Sequence, residues 1–203
     1  SSGKQHESVQ LESIYGPVLK HDPQGHPLAL RWTQYYPQGT NLGLVDMETA
    51  TSLEQAMAVA NTSGMPPQNI VIADDIGNIA WTIAGAIATR DYDGQKLVPW
   101  QQAGTAFKGW LAPEQYPRVI NPPSAQIQTA NARVVSGADL AMLGDGRYAL
   151  GIRQRQIRDH LARLSDVTEA DMLAVQLDDE AQFYSEWKQV LETAISASSQ
   201  SQM

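Results

Sequence analysis

QNIVIADDIGNIAWTIA, residues 68–84, is the stretch from which the fold is read. Residues 69–73 are rich in β-branched side chains, residues 74–78 carry turn chemistry, and residues 79–84 return with the same strand character. Gly77 and Asn78 are the residues expected to supply the positive φ that a hairpin loop demands. The pattern predicts two antiparallel strands, which need further strands or a helix to cover them. Asp74 and Asp75 invite a second reading, because glycosidases work with paired carboxylates. Neighbours in a strand point to opposite faces, however, and Asp is an ordinary turn residue, so the turn role outweighs the sugar site.

Working outward toward the N-terminus, Ser52 followed by Gln55 has capping-box form and opens a helix with Leu53, Ala56, Met57 and Ala60 on one face. Asn61 and Gly64 are expected to end it, and Pro66 and Pro67 forbid continuation. Before it, alternating residues 8–19 and residues 28–33 read as strands of an antiparallel ribbon, with turns at Gly16 and at residues 22–25. Trp32, Tyr35 and Tyr36 read as packing residues.

Beyond the hairpin, residues 90–94 and 99–109 read as loops that Trp100 and Trp110 pin to the body. Asp91 and Asp93 fall out of register for a calcium loop, so no metal site follows from them. Residues 144–146 form a turn, and a helical pattern starts at Ile152 with Ile157, Leu161 and Leu164 on one face. Thr168, Glu169 and Asp171 open another helix, their acids suited to its N-terminal end. A last helix spans about residues 180–195, with Phe183, Trp187, Val190 and Leu191 as its apolar stripe. Strands first and helices last argue an α+β fold. Neither an internal repeat nor a linker divides the chain, so residues 1–203 read as a single segment, with 1–7 and 196–203 expected to be disordered or cut ends.

A net charge of −8 argues against nucleic-acid binding, which needs clustered Lys and Arg to displace counterions. The absence of Cys removes disulfides and thiol nucleophiles, and the four His lack zinc spacing. No apolar run approaches a membrane span, and the sequence opens with no signal-peptide pattern.

One stretch is left over: PRVINPPSAQIQTANARVV, residues 117–135. It is too polar and too proline-broken for a helix or a core strand. Pro122 and Pro123 fix two φ angles and make a stiff corner, behind which small residues present one amide, Asn131. Taken alone, Asn131 is a loop amide capping a turn, and Arg153 is one surface charge beside Arg155 and Arg158.

Together these motifs resemble the penicillin acylase family of N-terminal-nucleophile hydrolases, which includes acyl-homoserine-lactone and cephalosporin acylases. Residues 68–80 are similar to its QN-strand-AD-x-x-GNIAY hairpin, and residues 117–135 to its PRVxNPPSGxIxTANNRVV segment. Residues 13–17, 28–32 and 174–178 match flanking segments in the family's order. The resemblance implies an interior segment of the β subunit, part of a four-layer αββα fold. It implies an amidohydrolase in which an N-terminal serine attacks the linear amide of an acylated substrate: a β-lactam antibiotic side chain, an N-acyl-homoserine lactone or a related acyl amide. Asn131 matches the oxyanion-hole asparagine and Arg153 the supporting arginine, while the serine lies outside this chain.

Ser1 begins no Ser-Asn-x-Trp run and stands too near Asn131 for the family's nucleophile. The isolated piece is therefore expected to be inactive. No cofactor is required for the chemistry; structural calcium belongs to several family members, with no ligand set mapped here. The expected partners are the acyl-amide substrate and the remaining α and β subunit segments, with self-association of an incomplete sheet as a further outcome. A periplasmic or secreted location is implied. Ala132, Ala125 and Gln126 depart from the family's Asn, Gly and aromatic, which alters the surroundings of Asn131. The competing reading is a noncatalytic binding or scaffold module that keeps the fold.

Overall fold

The computed structural model describes residues 3, 7–101 and 107–200, with side chains through residue 197. Ser1 lies outside the described residues. The chain divides into two compact units: Ser1–Ile127 with Val135–Gly146, and Gln128–Val134 with Arg147–Met203.

The first unit opens with the ribbon β1 (Glu12–Ser13), β2 (Gly16–His21) and β3 (Pro27–Ala29), antiparallel in that order and shorter than the alternation predicts. Helix α1 (Leu53–Thr62) follows, with Ser52 Oγ accepting from Gln55 N as one half of the expected capping box, while Gln55 Oε1 accepts from Thr51 N instead of Ser52 N. Strands β4 (Gln68–Ala73) and β5 (Ile79–Ala84) pair in register from Gln68 opposite Ala84 to Ala73 opposite Ile79. Small strands β6 (Ala88–Thr89) and β7 (Gly109–Trp110) pair with each other, and β8 (Val119–Ile120) pairs antiparallel with β5. This mixture of helices and antiparallel strands is α+β.

The core forms where α1 lies on the hairpin: Leu53, Met57 and Ala80 cluster with Ile72, and Ala60 of the same helix is buried as well; Trp81, the next residue along β5, is buried on the opposite face of the strand. Trp81 keeps its polar end satisfied by donating from Nε1 to Asn69 Oδ1 at 2.9 Å. A buried polar network ties the layers together. Asn61 Nδ2 donates to Thr82 Oγ1 and to Ile83 O, and Thr82 Oγ1 donates to Pro117 O at 3.0 Å. The Tyr116 hydroxyl shares its proton between Asn61 O and Gly85 O and accepts from Ile87 N. Burial pushes that phenol above its usual pKa, so it stays a donor.

The hairpin turn is built around Asp74 rather than around two left-handed residues. Gly77 takes φ +91, but Asn78 is not at positive φ; it contributes through its amide instead. Asp74 Oδ1 accepts from Ile76 N and Asn78 N, and Oδ2 accepts from Asn78 Nδ2 at 2.7 Å. Asn121, at φ +44, then locks β8 to the turn: its Oδ1 accepts from Ile79 N and its Nδ2 donates to Asn78 Oδ1. Gly64 does not end α1 by a left-handed cap. Its lack of a side chain lets the backbone at Asn41 pass, where a Cβ would stand 1.7 Å from Asn41 N.

Three further differences from the sequence reading have physical reasons. Trp110 packs with Tyr36 and Phe107, ring centroids 5.8 and 6.0 Å away, whereas Trp100 is 65 % exposed and stacks on no ring among the described residues. Residues 137–143, assigned no element from sequence, form α2 (Gly137–Leu143), anchored by buried Leu140. In the second unit α3 (Ile152–Leu161) and α4 (Glu169–Gln176) form where expected, α4 with a Thr168–Asp171 capping box. Helix α5 (Phe183–Gln200) runs past Ser196, where the sequence reading starts a tail; Ser196 Oγ instead bonds back to Glu192 O within the helix.

Candidate functional site

Within the second unit, the segment Gln128–Val134 is held by residues 147–154 at several points. Ala149 N donates to Asn131 O at 2.8 Å, Gln154 Nε2 donates to Gln128 O at 3.2 Å, and the Arg133 guanidinium lies 6.0 Å from the Tyr148 ring centroid. Ala132 is buried, and a Cβ placed on Gly151 would reach within 4.0 Å of its methyl. The segment is therefore fixed on both sides of Asn131.

Asn131 itself has φ +61, the left-handed region that Asn tolerates better than most residues. Arg153 stands in the first turn of α3 and donates from Nη2 to Asn131 Oδ1 at 2.8 Å. The two residues singled out 22 positions apart in sequence are thus in direct contact. Guanidinium is donor-only, so the contact fixes which end of the amide faces it. Asn131 must present Oδ1 to Arg153 and direct its NH₂ elsewhere, and among the described residues nothing accepts from that NH₂. A cation in a helix's first turn opposes the macrodipole, and no acid in the first turn of α3 offsets it. The placement is locally unfavourable for the helix, and its visible return is the bond to Asn131.

What this arrangement offers chemically is a neutral N–H donor with a fixed direction, polarised by a guanidinium on its carbonyl oxygen. Such a group receives negative charge developing on an oxygen without having to titrate. The alternative carboxylate site fares differently. Both oxygens of Asp74 are engaged by its own turn, and the Asn78 amide, followed by backbone N–H groups, holds its carboxyl below the usual range. Asp75 is exposed at the turn tip. Among the described residues no three His, Asp or Glu side chains gather as a metal site, and no helix is long and apolar enough to cross a membrane.

The sequence reading missed Ala149, Tyr148 and Gln154 as holders of the arm. Each acts across a gap in the chain, Gln154 on a residue 26 positions away, and none belongs to a periodic pattern that would mark it.

Comparison with known proteins supplies the remaining identification. Over 129 residues the chain is 32 % identical to Penicillin acylase 2 proenzyme of Pseudomonas sp. strain SE83, covering 62 % of this chain and 17 % of that protein. Over 189 residues it is 26 % identical to the acyl-homoserine lactone acylase QuiP of Pseudomonas fluorescens Pf-5, covering 89 % of this chain and 23 % of the relative. The chain thus spans less than a quarter of either relative's length. Among solved structures, the thermostable penicillin G acylase from Alcaligenes faecalis matches with a TM-score of 0.60 at 18 % identity, over 86 % of this chain and 32 % of that one. The likeness at that identity is one of fold. The family model for penicillin amidase matches residues 2–203, so the chain belongs to the penicillin amidase family.

Proposed function

We propose that this chain supplies the oxyanion-stabilising donor of an acylase that hydrolyses the linear amide of an acylated substrate. The relatives' names point to a penicillin or an acyl-homoserine lactone, or to a related acyl amide. The observation that supports this reading is the Arg153–Asn131 bond, which leaves the amide NH₂ without an acceptor among the described residues.

In this reading the 203 residues act as one segment of a β subunit, completed by the remaining α and β segments, and the attacking serine comes from sequence outside them. The serine hydroxyl attacks the amide carbonyl carbon while the serine's own α-amine takes the proton. As the carbonyl oxygen becomes anionic, Asn131 donates to it, and Arg153 keeps the amide from rotating its oxygen toward the charge. Collapse breaks the C–N bond, the amine leaves with the proton, and water releases the acid from the serine ester. The acylase works in the periplasm or outside the cell.

Two measurements test this. The isolated chain is expected to give no turnover of a chromogenic acyl amide. In the acylase that carries this sequence, Asn131→Ala is expected to lower kcat by about a hundred- to a thousandfold. Turnover by the isolated chain that disappears on Asn131→Ala would place the nucleophile among these residues. Full activity of the acylase variant would remove Asn131 from the mechanism.

A further inference from the structure

The first turn of α3 holds the donor arm at a second point that the reaction scheme above does not use. We infer that Gln154 is a positioning residue for Asn131, an inference that rests on the donor role proposed for Asn131. Consecutive residues of a helix point about 100° apart, so Arg153 and Gln154 can reach different parts of a segment crossing the helix start. They do: Arg153 takes the Asn131 side chain, and half-buried Gln154 takes the backbone carbonyl of Gln128, three residues earlier.

The two contacts do different work. The Arg153 bond sets which way the amide faces, because it grips the side-chain oxygen. It cannot by itself set where the amide sits, since an exposed arginine moves with its partner. The Gln154 bond grips main chain, and with Ala149 N on Asn131 O it fixes the track on which the side chain is carried. Gln is suited to this task because its side chain reaches the carbonyl with an N–H donor. It also carries no ionisable group, so the clamp does not change with pH. A misplacement of about 1 Å at a reacting group costs up to about a hundredfold in rate, so a lost backbone anchor has a kinetic signature.

The test uses the acylase that carries this sequence. Gln154→Met keeps the length and packing of the side chain and removes the donor, and Gln154→Lys restores a donor of similar reach. Gln154→Met is expected to lower kcat between about tenfold and about a hundredfold with little change in KM, and Gln154→Lys to recover most of the loss. Affinity for a tetrahedral phosphonate analogue should fall in step with kcat/KM, while affinity for the product acid stays put. A merely structural role would weaken both ligands together, and that result overturns the proposal. Asn131→Ala, run in parallel, separates the two ideas. If Asn131→Ala is inactive while Gln154→Met keeps its rate, only the positioning role fails. If Asn131→Ala keeps its rate, the donor reading fails and this inference with it.

Discussion

Ala125 has φ +51, a conformation in which an L side chain crowds the following carbonyl. It closes the turn begun at Pro122, with its N–H bonded to Pro122 O at 2.8 Å. The family pattern has Gly at this place, and the geometry supplies the reason. Ala125→Gly is expected to stabilise the chain by about 0.5–1 kcal/mol, the relief of the left-handed strain less the added freedom of the unfolded chain. A rise in the urea midpoint at unchanged slope checks it; a fall would mean that the methyl makes contacts worth more than the strain. Asn131 shows the opposite side of legibility. Its residue type is plain in the sequence, but its left-handed backbone and its bond to Arg153 are not. The contact joins a loop to a helix start 22 residues on, and neither periodicity nor turn chemistry encodes such a pairing. Only the family pattern marked the two residues, and it did not mark Gln154 or Ala149.

The hairpin β4–β5 is the element most readable from sequence, because strand propensity, turn residues and register all agree there. What the sequence did not convey is the turn's dependence on one carboxylate. Asp74 is a depressed carboxylate, bonded first to the Asn78 amide and then to backbone N–H groups. Its contribution to stability is present above its ordinary value of 3.8 and is lost as the pH falls through the lowered folded value. Asp74→Ala should therefore lower stability near neutral pH and flatten part of the acid limb below the ordinary value of 3.8. Thermal unfolding of both proteins across that range is the measurement. Parallel acid limbs would show that the carboxylate leaves no mark on folding. Helix α2 was illegible for a related reason: it is short, and one buried leucine gives no periodicity to count.

At the scale of the molecule, family and fold class were legible because five motifs occur in order along the chain, whereas the division into two units was not. No proline- or glycine-rich linker marks that division, since the second unit borrows residues 128–134 from the middle of the chain. The apolar stripe of α5 was read correctly as a stripe, but Phe183, Trp187, Val190 and Leu191 remain exposed, Trp187 at 57 %. Exposed apolar faces of this kind associate. The isolated chain is expected to sediment as a concentration-dependent mixture, and Trp187→Lys to shift it toward the monomer; a single monomeric boundary at all concentrations would contradict this.

The Arg153–Asn131 contact also bears on how such a protein ages. Asn131 is exposed, so water reaches its side-chain amide and can hydrolyse it slowly. Deamidation would leave a carboxylate where the amide was. Arg153 would hold that carboxylate at least as firmly as it holds the amide, so the lesion would not loosen the arm or announce itself by unfolding. On the role proposed for Asn131, the N–H donor would then be gone, and a negative charge would face the place where the substrate's own negative charge forms. On that proposal, stored protein loses function while keeping its shape, and a charge-resolved separation detects the damaged fraction before any melting curve does.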